Sequence, residues 1–239
     1  MPARKSTPKA RTRRSEMKNP AKSSVPLQQD EGQDGRARLL TAALRLFGER
    51  GYVATSITDL AAAAGVTRGL IRFHFGSKQG LANAVDQLVI DRLAEMVDAF
   101  TSQVTPATIT EFFTLRLGQV EREQGLQNYV RRSFLEPTPR NIELFKKMFR
   151  VQKRLVQGIA ALGAPQMPIG DDWLALVSFF LNNGLLVFRP QVEAILGHDP
   201  LTRGGIHGAA EVFSVVFRHV FNVDSIQTGS GTPAARLHD

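Results

Sequence analysis

The stretch Arg36–Leu81 reads RARLLTAALRLFGERGYVATSITDLAAAAGVTRGLIRFHFGSKQGL, and its reading decides the fold. Ser56 precedes Ile57 and is followed three places on by Asp59, a capping-box pattern in which the hydroxyl accepts from the free amides of a helix's first turn. A helix is expected to start near Ile57. Ile57, Leu60, Ala61 and Ala64 fall on one apolar stripe, and the alanines let another helix approach closely. Gly65 is expected to end it with positive φ, which costs glycine nothing sterically. Val66 then fills the angle between two helices, Thr67 can cap the second, and Ile71 points back into the core. A small residue, a turn glycine and an aliphatic at this spacing describe two helices crossing steeply over a short turn. Such a unit can place its second helix in the major groove of DNA.

Working outward, Leu40, Ala43, Leu44 and Phe47 make a further stripe, so Ala37–Arg50 is expected to be a first helix ended by Gly51. Ser77 is the expected N-cap of a fourth helix, with Leu81, Val85, Leu88 and Leu93 mostly facing the core.

The phrases LLTAALRLFGERGY, TSITDLAAAAGVTRGLIRFHF and GSKQGL resemble the N-terminal DNA-binding domain of TetR-type transcriptional regulators, across four helices and their turns. The resemblance implies a dimeric regulator, usually a repressor, that binds a palindromic double-stranded DNA operator. It implies a candidate DNA-binding set of Thr67, Arg68, Gly69, Arg72, Phe73, His74 and Lys78, with His74 commonly on a phosphate. One departure stands out. Many members carry an aromatic, usually tyrosine, where this chain has Arg72; arginine can take the same phosphate or reach a base instead.

Charge is unevenly spread. Residues 1–29 carry eight Lys/Arg against Glu16, residues 30–35 carry three acids, residues 36–80 net +5, and residues 81–239 net −1. A polyanion partner suits the N-terminal third. The segment ARKSTPKARTRRSEMK has too few apolar residues to fold; it is either an arm that follows phosphates or a solubilising leader. There is no cysteine, which excludes disulfides and thiolate chemistry, and residues 1–29 lack the apolar core of a secretory signal. A cytoplasmic location is therefore expected.

Beyond the head, Pro106, Gly125, Pro137, Gly163 to Pro168, Pro190, Pro200 and Gly204 supply helix boundaries, and no stretch alternates with period two. Ile109, Phe112, Phe113 and Leu117 form one stripe; Ile142, Phe145, Phe149, Gln152 and Val156 trace another. The most apolar segment, Asp171 to Phe188, carries Trp173, Leu176, Val177, Phe180, Gly184 and Val187 along one side. Asn182, Asn183 and Arg189 keep it short of a bilayer span, so a buried or subunit-facing helix is expected and no membrane partner. A last helix, roughly Ile206 to Phe221, repeats the theme with Val212, Val215, Val216, His219 and Val220. The family resemblance implies that these two helices pair with their copies in a homodimer, and two wide apolar faces near the C-terminus need such cover. FRPQVEAILGHDP also looks like the connection between those helices in one subgroup of the family.

The expected class is all-α: a disordered basic tail over 1–35, a three-helix helix-turn-helix domain over 36–82, a larger helical ligand-binding and dimerisation domain over 83–222, and a flexible tail over 223–239. Phe112, Phe134, Phe149, Trp173 and Phe180 would line a cavity for a small, mainly apolar effector; a closed core built from the same residues would make a DNA-organising or partner-binding protein without a ligand. Gly204, Gly205 and Gly208 resemble a fragment of a phosphate loop with no strand before them, and His207 and Glu211 sit four apart without a third metal ligand. No catalytic constellation stands out, so no enzyme, metal or cofactor is expected.

Overall fold

A computed structural model describes residues 27–105, 107–162 and 168–225. Residues 1–26 and 226–239, which hold most of both expected tails, and the boundary residues Pro106 and 163–167 lie outside the described residues. Ten α-helices follow one another with no strand among the described residues: α1 (Leu27–Arg50), α2 (Ile57–Ala64), α3 (Arg68–Phe75), α4 (Lys78–Gln103), α5 (Ile109–Arg122), α6 (Gln124–Leu135), α7 (Pro139–Ala161), α8 (Asp171–Val187), α9 (Arg189–Leu196) and α10 (Arg203–Phe221).

In the head, local chemistry sets each boundary. Asp59 N–H donates to Ser56 Oγ at 3.1 Å and Ser56 N–H donates back to the Asp59 carboxylate at 2.9 Å, the reciprocal capping box. Gly65 closes α2 at φ 63°, where its own amide and that of Val66 reach the open carbonyls of Ala62 and Ala61. Ser77 caps α4 by accepting from Gly80 N–H at 3.0 Å. Thr67 does stand at the N-cap of α3, but its side chain makes no capping bond. Thr55, fully buried, donates to the Gly51 carbonyl at 2.8 Å and so satisfies the C-terminal end of α1.

Hydrogen bonds from the Ser56 hydroxyl and amide hold the Asp59 carboxyl below its ordinary value. A group whose pKa falls on folding contributes stability above its unfolded value and loses it as pH drops through the folded one. Asp59→Asn, an amide that mimics the protonated acid, is therefore expected to melt below the parent at neutral pH, with the gap closing under acid conditions below the ordinary carboxylate range. A gap that pH leaves unchanged in thermal melts would show that the charge plays no part.

Helix α1 starts at Leu27, ten residues before the expected Ala37, so residues 27–35 are helical rather than disordered. Within this extension Asp34 pairs with Arg38 at 3.2 Å, an i,i+4 ion pair along the helix. The buried stripe is Leu39, Ala42, Ala43, Leu46 and Phe47, while Leu40 and Leu44 lie at its margin. At the other end, Val223–Ser225 form a 3-10 turn with Val223 fully buried, so the chain stays packed past the expected end of the body.

The core does not divide at residue 82. Leu39, Phe47, Leu60 and Ile71 of the head join one cluster with Val85 and Val89 of α4, Tyr129 and Val130 of α6, Leu144 and Met148 of α7, and Phe179 of α8. A second cluster fills the body from Val97 and Phe100 of α4 through Phe113 of α5 and Val151 and Leu155 of α7 to Phe217 of α10. Helix α4 belongs to both. At Gly48 α1 packs against the backbone of α6: a Cβ there would lie 2.8 Å from the Tyr129 backbone nitrogen, so only glycine fits at this distance.

On α7 the buried face is Leu144, Met148, Val151, Gln152, Leu155, Val156 and Ile159, and Ile142 is 44% exposed rather than core. On α8 the buried face is Leu174, Ala175, Ser178, Phe179 and Asn183, with Gln152 donating to Ser178 at 2.6 Å. No single helix among the described residues is long and apolar enough to cross a membrane; α8 and α9 would be together, but they are bent by 68°.

Candidate functional site

Helix α3 is held by Ile71, 1% exposed, and by the half-buried Leu70. On its outer side Arg68, Gly69, Arg72 and Phe73 share one exposed face, with Thr67 just before them. Phe73 is 80% exposed on this face. For His74, expected on a phosphate, Nε2 is buried with no hydrogen-bond partner and the ring packs edge-on to Phe73 at 4.9 Å. That nitrogen cannot meet a phosphate unless the ring turns. Lys78 places Nζ 4.3 Å over the Tyr52 ring, and partial burial lowers its pKa. Arg36, not singled out from the sequence, lies 5.4 Å over Phe75 on the same side of the head as the end of α3.

A polar joint ties the head to the body. Asp86, in the apolar stripe of α4, accepts from Tyr129 Oη at 2.6 Å and pairs with Arg140 at 2.8 Å. Arg140 also donates to the Ala82 carbonyl at 2.9 Å and lies 5.4 Å from the Tyr52 ring centroid. Burial raises the Asp86 carboxyl above its ordinary range, outweighing the Tyr129 hydrogen bond and the Arg140 charge, and burial raises the Tyr129 hydroxyl as well. Nearby, Arg132 of α6 donates to the carbonyls of Gly48 and Glu49, each at 3.0 Å, and caps the C-terminus of α1.

Below the joint is a half-open cavity of about 630 Å³ between α4, α5, α6, α7 and α8. Val89, Leu93, Phe100, Phe112, Val130 and Met148 give it apolar walls. Of the five expected lining residues only Phe112 reaches it. Phe134 stacks with Phe145 and Phe179 beneath the head, and Phe149 packs against the body core. Trp173 is 66% and Phe180 62% exposed on the outside of α8. The cavity is also less apolar than expected, because Arg92, Glu95, Glu111, Arg116, Glu123 and Gln127 contribute to it. Arg92 and Glu123 pair at 2.5 Å. Arg116 instead directs Nη1 at the Met96 thioether, and burial pulls its guanidinium down to about 10, still cationic at neutral pH.

Residues 39–85 match the family model described as bacterial regulatory proteins, tetR family. The chain is 37% identical over 166 residues to the HTH-type transcriptional repressor Rv3405c of Mycobacterium tuberculosis, which covers 70% of this chain and 79% of that protein. The chain belongs to the TetR family. It is a DNA-binding transcriptional regulator and not an enzyme. With the HTH-type transcriptional regulator TtgR of Pseudomonas putida the likeness is shorter: 42% identity over 69 residues, 29% of this chain and 31% of that one. Among solved structures, the fatty acid degradation regulator FadR of Bacillus halodurans aligns with a TM-score of 0.59 at 15% identity, over 74% of this chain and 97% of that one. Salmonella enterica GusR gives 0.59 at 17%, over 84% and 100%. At these identities the likeness is one of fold.

Sequence reasoning passed over Tyr52, Asp86, Tyr129, Arg132 and Arg140, which form the joint between head and body. Asp86 carried a signal: it interrupts the run Leu81, Ala82, Val85, Val89 at a position that should be apolar. His207 and Glu211 form an exposed pair at 3.3 Å, and no group of three metal-ligating side chains occurs among the described residues.

Proposed function

We propose that the protein is an effector-responsive repressor that binds a palindromic operator as a homodimer. One observation carries this reading: α4 is a single helix whose first turns pack beneath the recognition helix α3 and whose later turns form a wall of the cavity. Leu81, Val85 and Val89 belong to the head cluster, and Val89, Leu93, Met96 and Phe100 line the cavity. A molecule that prefers one position of α4 therefore shifts α3, and such coupling is typically about 1–3 kcal/mol, with operator weakening effector binding by the same factor. The open cavity favours this over a ligand-free DNA-organising role. The exposed face of Trp173, Val177 and Phe180 on α8, next to Val212, Val215 and Val216 on α10, supports pairing of two chains. The relative named a repressor supports the sign of regulation. Residues 1–26, with their eight Lys/Arg, would add phosphate contacts.

Selection from a randomised duplex library, followed by competition binding, tests the site. Arg68 sits in the first turn of α3, where side chains meet base edges, so Arg68→Ala is expected to relax one base-pair preference at a cost of about 1–3 kcal/mol. Arg72, one turn later, and Lys78 would serve phosphates, and their loss should weaken all sequences alike. A uniform loss for Arg68→Ala, or a changed base preference for Arg72→Ala, overturns the assignment.

A further inference from the structure

We infer that the effector is an amphipathic organic anion, an apolar body carrying a carboxylate that sets itself against Arg116. This rests on reading the cavity as the effector site. Arg116 lines the cavity, and among the described residues its partner is the thioether of Met96, a weak acceptor that carries no charge. Arg116 is half-buried; a cation partly withdrawn from water without a counter-charge is destabilised, and a ligand that supplies one offsets that cost. The other charges of the lining do not supply it: Glu123 is engaged by Arg92, and Glu95 and Glu111 are exposed at the mouth. A second group points the same way. Gln127, 5% exposed, lines the cavity with its Oε1 accepting from Arg189 at 3.1 Å, while its Nε2 is buried without any acceptor. A half-buried guanidinium and a buried amide N–H both lack a strong acceptor, and a carboxylate is all acceptor. The walls formed by Val89, Leu93, Phe100, Phe112 and Met148 suit an alkyl chain or ring behind it.

Calorimetric titration of the full chain with decanoate, 1-decanol and decylammonium, three probes with one apolar body, tests this. Decanoate is expected to bind tighter than decanol by on the order of tenfold or more, and decylammonium weakest. Arg116→Met should remove the preference for decanoate over decanol, and Arg116→Lys should retain part of it; circular dichroism melts check that both variants fold. If either variant fails to fold, the order of the three head groups on the unmodified chain still decides. Equal binding of all three, or tightest binding of decylammonium, overturns the anion inference and leaves the cavity as an effector site. Binding of none at millimolar concentration overturns both.

Discussion

Phe180→Asp is expected to turn a dimer into a monomer and to lower operator affinity by about 10²–10⁴, because a second recognition helix then no longer binds as part of the same molecule. Phe180 is 62% exposed in the single chain, with Trp173 and Val177 beside it on α8 and the 65% exposed Val215 on the neighbouring α10. An aspartate there costs an isolated chain little. Against an apolar partner face it buries an unpaired carboxylate, at a cost of about 3–5 kcal/mol. Light scattering gives the mass and electrophoretic titration the affinity. A variant that remains dimeric and keeps its operator affinity places the interface elsewhere.

Asp86→Ala is expected to lower folding stability by about 3–5 kcal/mol, the cost of leaving one member of a buried ion pair unmatched. The variant strands the Arg140 guanidinium and removes the acceptor of the Tyr129 hydroxyl, both inside the joint between head and body. Urea unfolding measures the loss. The double variant Asp86→Leu/Arg140→Met is expected to lose less than the two single changes together, since it removes both charges at once. Strict additivity would mean that the two side chains do not act as a pair. Burial raises the Asp86 carboxyl, so this group favours the fold below the ordinary carboxylate range and that contribution fades as pH rises through its folded value. The joint is thus held at neutral pH by Arg140 and Tyr129 rather than by an intrinsic preference of the carboxylate.

The head was legible because its boundaries are decided within four residues of themselves. Ser56 with Asp59, Gly65, and Ser77 with Gly80 each satisfy backbone groups close by in sequence, and such chemistry can be read without knowing what packs against it. The outer face of α3 was legible for the same reason, since the burial of Ile71 fixes where Arg68, Arg72 and Phe73 point. The start of α1 was not. A polar run with two glycines reads as loop, but a helix already anchored by Leu39 and Leu46 extends at one backbone hydrogen bond per residue. Helix α8 shows a different limit. Both of its sides are apolar, so periodicity fixes the angle between the stripes but not which one faces inward. Packing against α7 selects the face of Ala175, Ser178 and Phe179, which leaves Trp173 and Phe180 turned outward. The cavity was not legible for a related reason: aromatic spacing does not separate lining from core, and the polar residues that give the cavity its character, Arg116 and Gln127, come from helices with an ordinary amphipathic pattern.

The central claim is that two copies of α3 read two symmetric half-sites. Hydroxyl-radical footprinting of a selected duplex at saturating protein tests it most directly, with the mass of the complex taken from the same sample. The account predicts two protected patches related by two-fold symmetry, their centres one helical turn of about 34–36 Å or a multiple of it apart, on a complex holding at least two chains. One unsymmetrical patch on a complex with a single chain would contradict it.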